Sequence, residues 1–158
     1  MKKIIIEDQS DIEGCFQPEN WLNLESGVTV EVTSEDPEHP IESALLESGN
    51  GGWRSAKPGK QTIRLVFDQP QSLNGIQLRF VESSVVRTQQ FVLKWADETG
   101  EVRGEIVRQQ WNFNPTNASC EIENYTVQLT GVKLLELTII PDIHGSSAYA
   151  SMVHWRIK

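Results

Sequence analysis

The sequence lacks the charge balance and the residue types that nucleic-acid binding and metal chemistry require. Its 158 residues include two cysteines and three histidines, and 14 basic residues stand against 22 acidic ones, which gives a formal net charge of −8. Proteins bind nucleic-acid phosphates by neutralising them with Lys and Arg. We therefore expect no nucleic-acid partner.

Patterns typical of enzymes are also missing. Cys15 and Cys120 allow one disulfide at most, and their spacing matches no metal motif. The histidines are not spaced as metal ligands, and the sequence has no nucleophile elbow, phosphate-binding glycine loop or HExxH motif. A pair of carboxylates facing each other across a deep cleft is the one enzymatic arrangement left open. We predict that the protein is not an enzyme and that it has no catalytic residues.

Long hydrophobic runs are absent as well. No apolar stretch approaches the roughly 20 residues that span a bilayer, so we expect no membrane span. The apolar stretch Ile4–Ile6 is followed by two acids and is shorter than the apolar region of a secretory signal. It predicts a first strand and a cytoplasmic protein, although secretion stays open.

Alternating hydrophobic residues, with almost no helical periodicity, dominate the rest of the chain. Between polar turns this alternation predicts eight or nine short strands, as in an antiparallel sandwich or barrel. Asp68–Pro70 is expected to end one of these strands. We predict one all-β domain over residues 1–158, with residues 1–27 as a lead-in of one strand and turns. Clear examples of the alternation occur at Val28–Thr33, Gln61–Phe67, Ile76–Phe80, Phe91–Trp95 and Val153–Ile157.

A glycine-rich segment with one tryptophan precedes the strand at Gln61. Residues 49–60 read GNGGWRSAKPGK, in which four glycines and a proline forbid a helix and predict a loop. Trp53 in this loop has two interpretations, a ligand contact or a plug at the end of the core. We favour the plug, because large aromatic side chains mostly serve packing.

The order of these signals resembles the discoidin domain, also called the coagulation-factor type C domain. The resemblance covers residues 28–158 and rests on the Trp53 loop, the strands Gln61–Phe67 and Arg87–Leu93, and the closing segment Ala148–Trp155. It implies an antiparallel jelly-roll β-sandwich of the galactose-binding-domain-like type. Residues 53–63 also resemble the amino-terminal domain of the X-ray-repair scaffold protein, which has the same sandwich.

The resemblance also bears on metal binding, because many discoidin-like domains hold a structural calcium ion. In those members an Asp-Gly pair lies before the Trp and a Glu lies in the last strand. This chain has Glu47–Asn50 before the Trp and His154 near the last-strand position. Calcium prefers six to eight oxygen ligands, and a histidine would supply nitrogen instead. The resemblance therefore implies a structural calcium ion, whereas the residues at these positions lack half of the expected carboxylates.

The resemblance implies that a ligand is bound by loops at one end of the sandwich. Trp111, Asn112 and Phe113 lie in a stretch predicted to be irregular and combine aromatic rings with an amide, which suits sugar binding. Arg87 follows the predicted loop 82–86, and its guanidinium suits vicinal hydroxyls or a carboxylate. For each of these residues an ordinary structural role is the alternative.

Arg54 and His144 complete the candidate set. Arg54 follows Trp53, and His144 lies in the Gly-Ser loop 142–149 together with Tyr149. We predict a non-catalytic module that binds a carbohydrate or related polar ligand at the loop tips. The alternative is an intracellular scaffold domain with a protein partner, which the lack of a secretory signal favours.

Overall fold

The computed structural model describes residues 21–158, which form eight strands and one short helix. The predicted strand at Ile4–Ile6, Cys15 and most of the predicted lead-in lie outside the described residues. In chain order the elements are β1 (Val28–Val32), α1 (Glu42–Leu45), β2 (Trp53–Pro58), β3 (Gln61–Val81), β4 (Arg87–Ala96), β5 (Val102–Phe113), β6 (Cys120–Ile140), β7 (Tyr149–Met152) and β8 (His154–Ile157).

Two long antiparallel strands, β3 and β6, organise the fold. The first half of β3 pairs with the second half of β6, and β1, β4 and β5 extend this sheet in the order β1-β3-β6-β4-β5. The second half of β3 pairs with the first half of β6 on one side and with β8 on the other. The fold is the predicted all-β, antiparallel jelly-roll sandwich.

The prediction that a strand ends at Asp68–Pro70 was wrong, because β3 continues through this segment. The pairing register of β3 against β6 shifts between Val66 and Gly75, which marks bulges rather than a break. A bulge tolerates Pro70, which has no N–H for a ladder, and it bends the strand while pairing resumes beyond it. Two predicted short strands are therefore one strand of 21 residues.

The core is formed by the alternating apolar residues that the sequence indicated. Ile63 and Leu65 are completely buried on one half of β3, as are Leu78 and Phe80 on the other. Paired residues of neighbouring strands point to the same side, so these side chains lie beside the buried residues of β6 and β8 with which β3 pairs. Burial of such side chains contributes about 1.5–3 kcal/mol each and is the main stabilising term.

Trp53 has the packing role that we favoured. It is 1% exposed, and its indole N–H donates to the Ser34 carbonyl over 3.2 Å. The segment around it is not a continuous loop, however, because Trp53 begins β2, which pairs with β7. Gly52 precedes it at a φ of 72°, and a Cβ there would lie 2.5 Å from the Met152 carbonyl oxygen. Only glycine lets the two chain segments approach so closely.

No helix among residues 21–158 is long and apolar enough to cross a membrane.

Candidate functional site

One end of the sandwich carries a cleft of about 360 Å³, here named the loop cleft. It lies between the loop that follows β3, the loop that follows β6, and the paired strands β2 and β7. Polar side chains, including five serines, dominate its lining, and one cation and one exposed tyrosine accompany them. The lining residues are Arg54, Val81, Glu82, Ser83, Ser84, Val85, Ser146, Ser147, Ala148, Tyr149 and Ser151.

The first wall of the loop cleft is held in shape by Glu82. Its Oε2 accepts hydrogen bonds from the backbone amides of Ser84 and Val85 over 3.1 and 3.3 Å. Its Oε1 accepts from Arg87 Nε over 2.6 Å. Burial opposes ionisation of Glu82, but the Arg87 contact and the two amides outweigh it and hold the pKa of this carboxyl below its ordinary value. The wall therefore carries an ionised and fully partnered carboxylate.

Arg87 also connects this wall to the opposite one. Its Nη1 donates to the Pro141 carbonyl over 2.8 Å and to Gln89 Oε1 over 3.1 Å. The guanidinium carbon lies 4.6 Å from the centroid of the Phe113 ring, within the range of a cation–π contact. Arg87 is 3% exposed, so it holds the two walls together from below the cleft surface.

The second wall is the loop 141–148, which is organised by Asp142. Its Oδ1 accepts from the backbone amide of His144 over 3.1 Å, and the Ile143 amide donates to the Thr88 carbonyl over 2.9 Å. A hydrogen bond from the Ser146 hydroxyl outweighs slight burial and lowers the pKa of Asp142. Both walls are thus preformed, which reduces the ordering cost of binding a ligand.

Arg54 and Tyr149 form the floor at the β2–β7 pair. The Arg54 guanidinium carbon lies 5.1 Å from the centroid of the Tyr149 ring, and the tyrosine is 39% exposed. Among residues 21–158, no carboxylate forms an ion pair with Arg54. The floor therefore presents a cation and an oriented aromatic ring to whatever enters the cleft.

The structure places the six predicted site residues differently with respect to the loop cleft. Arg54 lines it, and exposed His144 lies on its second wall without forming part of the lining. Phe113 is 1% exposed beneath Arg87. The prediction of an irregular stretch at Trp111, Asn112 and Phe113 was wrong. These residues form the end of β5 and pair with β4.

Asn112 and Trp111 lie away from the loop cleft, on the edge strand β5. The Asn112 side chain is exposed, and its Oδ1 accepts from the Thr88 hydroxyl over 2.9 Å. Trp111 is half-buried and meets the Phe113 ring edge-on at 6.5 Å between centroids. Ligand contacts by Trp111, Asn112, Phe113, Arg87 and His144 stay predictions.

Two neighbouring carboxylates, Glu121 and Glu123, lie on β6. Burial, followed by the proximity of Glu123, raises the pKa of Glu121 to about 8. Gln89 Nε2 donates to Glu121 Oε1 over 3.4 Å, a contact that connects β4 to the first half of β6. Glu121 is 1% exposed, so this pair does not face the deep cleft that the carboxylate-pair arrangement left open by the sequence requires.

Sequence reasoning missed most of the loop cleft. Ser83, Ser84 and Ser151 carry no motif, and Ser146 and Ser147 read as an ordinary Gly-Ser loop. Tyr149 lies near His144 in the sequence, but no pattern distinguishes it as a ligand contact. The one signal for this cleft is that serines lie on two loops that a jelly roll brings to the same end. That signal can be read only once the topology is known.

Comparison with known proteins supports the fold. No protein-family model and no curated protein sequence matches the chain. Solved structures do match, at low sequence identity. A family 32 carbohydrate-binding module of NanJ from Clostridium perfringens, in complex with galactose, is 15% identical with a TM-score of 0.58, over 83% of this chain and 93% of that one.

Two further structures have the same architecture. The family 32 module of AlyQ, in complex with 4,5-unsaturated mannuronic acid, is 16% identical with a TM-score of 0.58, over 82% of this chain and 93% of that one. A Ruminococcus gnavus fucosidase, in complex with fucose, is 8% identical with a TM-score of 0.62, over 85% of this chain but 25% of that chain. These likenesses confirm the galactose-binding-like jelly roll; the likeness to the X-ray-repair scaffold protein stays a prediction.

Proposed function

We propose that this protein is a non-catalytic carbohydrate-binding module and that an acidic sugar residue binds in the loop cleft. The observation that carries the proposal is a preformed polar cleft with Arg54 and Tyr149 on its floor. Sugars are held by an aromatic face together with hydroxyl and charged groups that fix their orientation. The fold is also that of modules solved with bound sugars, including galactose and an unsaturated mannuronic acid.

The charge of the loop cleft favours a carboxylate-bearing sugar over a neutral one. Its Glu82 carboxylate is balanced by Arg87, which leaves Arg54 as a cation without a carboxylate partner among residues 21–158. A guanidinium binds a carboxylate through charge-assisted hydrogen bonds, which are about twice as strong as neutral ones. The serine hydroxyls can donate to or accept from sugar hydroxyls.

Isothermal titration calorimetry with galacturonic acid oligomers and with neutral galactose oligomers tests the proposal. We expect the acidic oligomer to bind more tightly and to lose affinity as salt is added, because salt screens the Arg54 charge. R54Q should weaken acidic binding by about tenfold or more, since a charge-assisted hydrogen bond is worth about 1.5–3 kcal/mol. R64Q removes an exposed arginine of β3 outside the cleft and is the matched control.

Tyr149 provides a second, independent readout. Y149A should weaken both acidic and neutral oligomers, whereas Y149F should retain most of the affinity if the ring supplies the contact. Absence of binding to any sugar at millimolar concentration would contradict the function itself. Equal affinity for acidic and neutral sugars, unaffected by R54Q, would contradict only the preference for acids.

A protein partner is the second candidate function, and the loop tips beside the cleft favour it. Val86 is 72% exposed, Val85 is 44% exposed, and Ile143 on the opposite wall is 39% exposed. Exposed apolar side chains at one end can mark an interaction surface. Two results together would favour this function: the wild-type protein binds no sugar, and the V85S/V86S variant loses a protein that co-purifies with the wild type. A cytoplasmic location stays a prediction.

A further inference from the structure

The carbonyl groups at the C-terminal end of α1 face a cation supplied by the chain itself. Arg156 on β8 donates from Nη1 to the Ala44 carbonyl over 2.7 Å and from Nη2 to the Leu46 carbonyl over 3.1 Å. Arg156 is 5% exposed, so the contact is shielded from solvent. This is the segment before Trp53, adjoining the last strand, where the discoidin resemblance implies a structural calcium ion.

The residues at this corner do not fit a calcium ion. The Leu46 carbonyl oxygen also accepts from the Gly49 amide over 2.9 Å, so both of its lone pairs are engaged. His154 lies 3.1 Å from Gln77 Oε1 through its Nε2 and would offer nitrogen rather than oxygen. Among residues 21–158, no group of three or more acids, histidines or cysteines is arranged to hold a metal.

Electrostatics points the same way. A guanidinium is permanently charged and presents several N–H donors in a fixed plane, which suits two neighbouring carbonyl oxygens. Burial lowers the pKa of Arg156 from its ordinary value, the negative charge of Glu47 partly offsets this shift, and a guanidinium stays protonated in proteins. A divalent cation beside this guanidinium would be repelled at short range in a shielded setting.

We propose that the Arg156 guanidinium takes the place of a structural calcium ion at this corner of the sandwich. It joins the C-terminal end of α1 to β8 through the carbonyls of Ala44 and Leu46. The protein consequently folds and keeps its stability without calcium.

Thermal unfolding of the wild-type chain in millimolar calcium chloride and in EDTA tests the proposal. A ligand that binds only the folded state raises its melting temperature. We expect superimposable curves, and no terbium luminescence sensitised by the nearby Trp155. A melting temperature that falls in EDTA, or a stoichiometric calcium site lost in E47Q, would overturn the proposal.

Charge reversal at the same position sharpens the test. R156E directs a carboxylate towards the two carbonyls and Glu47, so it should lower the melting temperature in EDTA and regain part of the loss in calcium. K60E, a charge reversal at an exposed lysine between β2 and β3, should show no calcium effect. Failure of calcium to rescue R156E would contradict the assignment of this corner as a cation position. If R156E folds neither in calcium nor in EDTA, the proposal is tested by the wild-type melting curves alone.

Discussion

The guanidinium of Arg87 donates through Nε to Glu82 Oε1 over 2.6 Å, with the Arg87 side chain fully shielded and the Glu82 side chain 15% exposed. Because Arg87 also donates to the Pro141 carbonyl, the pair holds together the two walls of the loop cleft.

Loss of the Glu82 charge should therefore be costly. E82Q leaves Arg87 buried without its counter-ion, and we expect a loss of about 3 kcal/mol in the free energy of unfolding. Urea denaturation monitored by tryptophan fluorescence measures it. R103Q breaks the more exposed pair with Asp97 and should cost much less, because solvent screens this pair. Equal losses in the two variants would contradict a structural role for the buried pair.

Glu121 should make the protein less stable as the pH rises. Its pKa is about 8 in the folded state against 4.5 ordinarily, so between these values the folded state holds a proton that the unfolded state has released. The stabilisation is complete below pH 4.5 and is lost towards pH 8. E121Q removes the titration and should be more stable than the wild type at pH 8, by about 2–4 kcal/mol.

Denaturation of E121Q and wild type from pH 5 to 8 measures this difference. Wild-type stability should fall relative to E121Q across the range. E105Q, at a surface carboxylate paired with Arg108, should follow the wild type. Parallel stability profiles for wild type and E121Q would show that Glu121 does not hold its proton in the folded state.

His154 acts in the opposite direction at acid pH. Burial, followed by the charges of Arg156 and Arg79, lowers its pKa to about 4. Between pH 6.5 and 4 the His154 side chain is protonated in the unfolded chain but neutral in the folded protein. Stability therefore falls as the pH falls through this window. H154Q should flatten this decline by about 2–3 kcal/mol, although it alters the contact with Gln77.

Acid denaturation of wild type and H154Q at matched ionic strength checks the prediction. H39Q replaces a histidine that is not buried and should retain the wild-type profile. A direct readout is the NMR titration of the His154 ring. A midpoint near 6.5 would rule out the depressed pKa, whatever the stability of the variant.

Two adjacent glycines allow a matched comparison at the entry to β2. Gly51 and Gly52 both have positive φ values, of 87° and 72°. A Cβ at Gly51 meets nothing within 4 Å, whereas a Cβ at Gly52 would lie 2.5 Å from the Met152 carbonyl oxygen and 2.9 Å from the Val153 Cα. G51A should cost about 1 kcal/mol from backbone strain alone.

G52A carries the same strain and must also push β7 away from β2. We expect it to destabilise the protein by about 2–3 kcal/mol more than G51A and to weaken ligand binding, because Arg54 and Tyr149 lie on these two strands. Thermal unfolding and calorimetric titration give the two readouts. Identical melting temperatures for G51A and G52A would contradict the close approach.

The fold was predictable because its signal is local and repeated. Alternation on β3, β4 and β8 reports which side of each strand is buried, and it needs no knowledge of the partner strand. The continuity of β3 from Gln61 to Val81 was not predictable. Polar residues and Pro70 read as a strand end, and only pairing with β6 across the bulges shows that β3 continues.

The site was less accessible to sequence reasoning, because it depends on which loops meet. The chemistry of Arg87 is equally suited to a ligand and to Glu82, and only the geometry shows that its Nε donates to Glu82 and its Nη1 to Gln89 and the Pro141 carbonyl. Arg156 lies within an ordinary-looking final strand. Its contacts with Ala44 and Leu46 span more than a hundred residues of chain, beyond the reach of any local pattern.

The uninterrupted course of β3 and β6 has a consequence for how the protein unfolds. Each strand supplies ladder hydrogen bonds to both halves of the sandwich, and the buried side chains of both halves belong to one continuous core, so melting of one half would expose the core side of the other. Unfolding should consequently proceed as a single cooperative event. Amide protons of Leu65 and Leu78, which lie on opposite sides of the bulges, should exchange with solvent at the same opening free energy.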